Sequence, residues 1–147
     1  MKKTILIAGG FVFFLLGIFF FFLMKSPPHA QEIDWRQLGD MDYVTGKSTP
    51  KLDALKGKKV KIPGFMVPLE DNVRKVTEFL LVPNPQACIH MPAPPPNQMV
   101  YVKVKGDGFP TAFGPIWVYG DFQISNSKSV YGDASFEIQA DSVEPYP

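Results

Sequence analysis

Cysteine and histidine are nearly absent from this chain. Cys88 is its only cysteine, and its two histidines are His29 and His90. One thiol forms no internal disulfide and no Cys-x-x-Cys redox or zinc pair. Also missing are a glycine-rich phosphate loop, a Gly-x-Ser-x-Gly elbow and any internal repeat. These absences exclude the commonest nucleotide-binding and serine-hydrolase signatures. Basic excess is lacking too. Of the fifteen basic residues, Lys2, Lys3 and Lys25 flank the N-terminal apolar run. Twelve then remain against fourteen acidic ones, about −2, with no basic stripe for nucleic acid.

One long hydrophobic run is present. It extends from Ile5 to Met24 and is closed by Lys25, about the 20 residues that cross a bilayer. A secretory signal has a shorter apolar core and small residues before its cleavage site; Pro28 fits poorly upstream of Ala30. Residues 1–25 therefore read as an uncleaved membrane anchor, and as a secretion signal if they are cut. No cysteine follows a lipobox pattern. Lys2 and Lys3 against Lys25 put the N-terminus inside. The expected location is the inner membrane, single-pass, with residues 26–32 as a linker and 33–147 as a β domain in the periplasm.

Past the linker, Ile33 to Leu38 suggests a helical turn with Asp34 near its start, and Leu52 and Leu55 again have helical spacing. From Lys59 the period is two, which marks strands. Val60, Ile62 and Gly64 oppose Lys59, Lys61 and Pro63, with a bend at Pro63-Gly64 and a continuation to Leu69. Further strands are predicted at Val76–Val82, Met99–Lys105, Ile116–Ile124 and Phe136–Ala140, with Ser125–Asp133 a polar turn. Five strands with little helix predict an all-β domain: a small five-stranded antiparallel barrel of the OB type or a compact sandwich, preceded by one transmembrane helix.

The stretch Gln86-Ala-Cys-Ile-His-Met-Pro-Ala-Pro-Pro-Pro-Asn-Gln98 carries the candidate chemistry. Cys88 and His90 lie two apart, so on an extended chain they share a face. Thiolate and imidazole are good ligands for zinc or copper. Met91 and Met99 favour Cu(I), while Glu70, Asp71 or Asp121 favour Zn²⁺. One Cys and one His are at most half a zinc site. The remaining ligands must be acids, a second chain or a partner. Two other readings stand beside this one. Cys88 is also a small buried residue with His90 bonded to the backbone, or a thiol activated by His90 and oriented through Asn97 or Gln98. Pro92, Pro94, Pro95 and Pro96 favour polyproline II, which docks on aromatic rings of its own domain, with Trp117, Tyr119, Tyr101 and Phe122 on neighbouring strands, or on a partner. The blander reading of Asn97 and Gln98 is a turn cap, and of Lys56, Lys58, Lys59 and Lys61 a solvated face.

Phe79-Leu-Leu-Val-Pro, Cys88-x-His90-x-Pro92-x-Pro-Pro-Pro-Asn-Gln and Val100-Tyr-Val resemble a bacterial envelope family catalogued as domain of unknown function 3299. The likeness extends to Leu55-Lys-Gly-Lys-Lys-Val-Lys-Ile-Pro-Gly-Phe-Met-Val-Pro-Leu and Val118-Tyr-Gly-Asp-Phe. It implies a secreted or anchored protein acting beside ABC-transporter components, in a setting of zinc supply, with Cys88 and His90 as the residues of interest. The expectation is a non-enzymatic, membrane-anchored accessory protein that binds or relays a transition metal, zinc before copper. The alternatives are an interaction module built on Met91, Pro92, Pro94, Pro95, Pro96, Asn97 and Gln98, and a thiol enzyme.

Overall fold

The computed structural model describes residues 29–71, 74–85 and 92–147. The apolar run Ile5–Met24 and the trio Cys88, His90 and Met91 lie outside these residues. Among the described residues no helix is long and apolar enough to cross a membrane.

The structure is mostly β, with two short helices among the described residues. The chain enters through β1, Gln31–Glu32, and turns into helix α1, Trp35–Gly39. Asp34 caps α1, its carboxylate accepting from the Gln37 N–H at 2.8 Å. The Gln37 side chain accepts in return from the Asp34 N–H, completing a capping box. Helix α2, Pro50–Asp53, is capped by Thr49 and has proline at its first position, where no N–H is needed.

Strand β2, Lys59–Pro68, alternates as its sequence predicts, with Val60, Ile62, Gly64 and Met66 facing inward. Its first part pairs with β7, Pro115–Ser129. Its second part pairs with β4, Glu78–Val82. The two ladders meet at Phe65, which pairs with Pro115 of β7 and with Val82 of β4. A Cβ on Gly64 would come within 2.8 Å of Leu81 Cγ and 2.9 Å of the Val82 oxygen, so only glycine lets β4 approach so closely here. β4 is buried on both faces: Phe79 and Leu81 join the main core, while Leu80 and Val82 pack with Met99 and Ala134 in a second cluster.

β4 pairs with β5, Val100–Val104. β5 pairs with β8, Gly132–Pro145, and β8 with β7. The ladder therefore runs β2–β4–β5–β8–β7 and returns to β2. The expectation of wholly antiparallel pairing is corrected at two places, because β5–β8 and β1–β2 are parallel. A ring of five strands has an odd count, so at least one neighbouring pair must run the same way. β1 continues the line of β4 along one edge of β2, and two-residue strands β3, Lys75–Val76, and β6, Phe109–Pro110, form a separate sheet. These additions keep the sheets from forming a clean barrel. The predicted polar turn at Ser125–Asp133 is also corrected. Strands β7 and β8 continue as a long ribbon, with Ser129 paired to Gly132. Inside, Phe122 and Phe136 stack with centroids 5.5 Å apart. Each such ring, once buried, contributes roughly 1.5–3 kcal/mol.

Candidate functional site

The described part of the loop runs from Pro92 back into the sheet. Pro92 and Pro95 are exposed; Pro94 and Pro96 are half-buried. Pro95 has φ −62° and ψ 153°, polyproline II geometry. A 3₁₀ turn at Pro96–Gln98 follows, held by the Gln98 N–H on the Pro95 oxygen at 2.8 Å. Three of the four rings expected to receive the prolines have partners of their own. Trp117 packs on Tyr146 at 5.0 Å beneath the Lys61 ammonium, Phe122 is buried on Phe136, and the Tyr101 hydroxyl donates to Glu78 at 2.7 Å.

Asn97 and Gln98 do more than cap a turn. Asn97 is 8% exposed. Its amide donates to the main-chain oxygens of Gly39 at 3.2 Å and Met41 at 2.9 Å. Gln98 donates to the Trp35 oxygen at 3.0 Å. Together they tie the end of the loop to α1, some sixty residues earlier in the chain. The Asn97 carbonyl oxygen is buried without a partner among the described residues.

Of the carboxylates named as further zinc ligands, Asp121 and Glu70 are engaged within the fold, and Asp71 is exposed. Asp121 and Asp141 form a four-member cluster with Lys59 and Lys105; Lys59–Asp121 is 2.9 Å, and both Lys105 contacts are 2.7 Å. The hydrogen bond from Lys105, then that from Lys59, holds Asp121 below the ordinary carboxylate range. Burial raises Asp141, but the same two lysines outweigh it and leave it lowered. Glu70 accepts from the Thr77 hydroxyl and from the N–H groups of Thr77 and Glu78, and is lowered chiefly by that hydroxyl. Among the described residues no three His, Cys, Asp or Glu side chains gather as a metal ion requires. The lysine face is likewise less free than its sequence suggests: Lys56 pairs with Asp53 at 2.7 Å and Lys61 with Glu32 at 3.0 Å.

On the N-terminal side of the loop lies an apolar surface that period-two reading did not reveal. One open groove of about 330 Å³ is lined by Trp35, Pro63, Gly64, Phe65, Pro83, Pro115 and Tyr146. A second, of about 300 Å³, shares Phe65 and continues along Met66, Val67 and Pro85 to Phe113, which is 93% exposed. Among the described residues neither lining contains a charged side chain. The available signal was Phe113 itself, a bare aromatic in a glycine-rich loop, where side chains are usually polar. The Trp35 indole N–H donates to the Pro63 oxygen at 2.7 Å and fixes one wall.

Comparison with known proteins fits this frame. The model of the family described as a protein of unknown function (DUF3299) matches residues 27–145. The chain belongs to the DUF3299 family. A crystal structure of a DUF3299 family protein from Pseudomonas aeruginosa PAO1 is similar, with 34% sequence identity and a TM-score of 0.66. The match covers 82% of this chain and 98% of that one. No curated protein matches. In this DUF3299 chain the matched region takes in the loop, the clamp on α1 and both grooves apart from Tyr146.

Proposed function

We propose that this DUF3299 chain is a non-enzymatic, membrane-anchored binding module of the bacterial envelope, built on an OB-like ring of five strands, which presents the segment between Pro83 and Gln98 to a partner protein. The clamp carries this reading: the buried Asn97 and the half-buried Gln98 fix the loop's end to α1 through three side-chain hydrogen bonds. A stiff proline segment held this way is preorganised, so little ordering entropy is lost when a partner engages it. The test replaces Pro94, Pro95 and Pro96 with serine. Partner capture in native envelopes should fall while the thermal unfolding of the fold stays cooperative. Unchanged capture would contradict the reading.

A second reading concerns what is handed over. Cys88 and His90 are two good donors for zinc, or for copper with Met91 and Met99. Asp121 is bound to lysines and Glu70 to the backbone, while Asp71 is exposed. In this reading the zinc takes its further ligands chiefly from the partner, an ABC-transporter component in the resemblance drawn from sequence. Elemental analysis of chelator-free protein with its partner should find zinc that is lost in Cys88→Ser and His90→Ala. Equal metal content in both variants would remove this reading.

A further inference from the structure

We propose that the uncharged aromatic and proline surface around Phe65 rests in the interfacial layer of the bilayer that holds the chain. The proposal rests on the anchored reading above and adds an orientation to it. Contiguous exposed apolar surface rimmed by polar residues marks a contact site. Here the surface runs from Trp35 and Tyr146 across Pro115 and Phe65 to Phe113.

Three observations select lipid as the occupant. The first is reach. The apolar run ends at Lys25, six residues before Gln31, a linker of at most about 20 Å. β1 lies beside Val60 and runs parallel to β2, so Pro63 to Phe65 is only about 10–17 Å further along the strand. The second is chemistry. Trp and Tyr favour the headgroup boundary, where one part of the ring is dry and another wet. Trp35 already satisfies its N–H inside the fold, on the Pro63 oxygen. The third is charge. Lys56, Lys59, Lys61 and Lys105 are paired to acids of the same domain, which leaves them poorly placed for electrostatic docking on anionic lipid. The uncharged aromatic face offers a domain on so short a tether an apolar contact with its membrane that needs no free lysine. Pro83 and Pro85 line the same surface, so the partner that meets the loop sits in or against that membrane.

The test uses the two native tryptophans, Trp35 and Trp117. The full chain is reconstituted into phosphatidylethanolamine–phosphatidylglycerol vesicles, with and without lipids brominated near the glycerol. Flotation is measured first. Brominated lipid should then quench the emission of Trp117→Phe, in which Trp35 is the sole reporter. Phe113→Asp should relieve that quenching, and this variant leaves the core alone because Phe113 is almost fully exposed. Val130→Asp, at another well-exposed apolar residue, on the tip of the β7–β8 ribbon, should not. A chain that fails to float overturns both the anchor and the contact. A chain that floats with unquenched tryptophan, or is quenched equally in Phe113→Asp, overturns the contact alone. Unquenched emission with concentration-dependent dimers assigns the surface to a second copy and overturns it as well.

Discussion

Asn97→Ala is the most informative single change. It deletes two amide hydrogen bonds, of 2.9 and 3.2 Å, from a side chain that is 8% exposed. Each is worth about 0.5–1.5 kcal/mol net, and a buried oxygen left unpaired adds about 1–3 kcal/mol. Against this, alanine removes the Asn97 carbonyl oxygen, itself buried without a partner, which offsets about 1 kcal/mol. The balance is a loss of about 3 kcal/mol. With a urea dependence of about 1–3 kcal/mol per molar, the midpoint should fall by about 1–3 M. Asn97→Asp sharpens the test. At neutral pH it sets a buried carboxylate against two carbonyl oxygens and should be worse than alanine. Burial and those oxygens raise its folded pKa, so its deficit should shrink as pH falls and the carboxyl becomes a donor. Urea unfolding of the full chain in mild detergent, with hydrogen exchange across residues 92–99, reads both effects. An alanine variant within about 0.5 kcal/mol of the parent, or an aspartate variant without pH dependence, would refute the claim that this side chain holds the loop.

Other outcomes follow from the same geometry. Gly120→Ala should destabilise by about 3 kcal/mol or more in urea unfolding, since the new Cβ would lie 2.3 Å from the Gln139 oxygen beside the register shift at Tyr119/Gly120. Asp121 and Asp141 are lowered in the fold, so their contribution is present above the ordinary carboxylate range and lost as pH falls below it. High salt should shrink that acid limb, and Lys59→Met with Lys105→Met should abolish it. Lys105 is raised by the same contacts, so its share persists through neutral pH and disappears only in strong alkali. Burial, then the Glu78 hydrogen bond, pushes Tyr101 up to about 12. Ultraviolet titration should show a late tyrosine that ionises earlier in Glu78→Gln, with stability falling as pH climbs from the ordinary tyrosine value toward the raised one.

The strands with one face in the core were readable because alternation survives in them: Val60, Ile62 and Met66 are buried while Lys59 and Lys61 are not. Asp34 before Trp35 also announced its helix. The ribbon beyond Ile124 was not readable, since its half-buried positions, Ser125, Ser127 and Ser129, are as polar as the exposed Asn126 and Lys128 and set no hydrophobic period. β1, β3 and β6 are two residues each, too short for any pattern. Parallel pairing of β5 with β8 is a property of the closed circuit, and no local spacing records it. The proline loop could be found from composition, but its attachment could not: Asn97 meets Gly39 and Met41 only after the chain has folded back on α1. The ion cluster joins Lys59, Lys105, Asp121 and Asp141 from four separated segments and is equally silent in sequence.

The central claim is that the loop between Pro83 and Gln98 is a presentation device. Cys88, the sole cysteine, supplies its own probe, because a thiol-reactive, photoactivatable cross-linker on intact envelopes can label nothing else in this chain. The account predicts a discrete adduct with one membrane partner, lost when Pro94, Pro95 and Pro96 become serine and weakened in Asn97→Ala. The same adduct in all three proteins, or labelled Cys88 with no adduct in the parent, would contradict it.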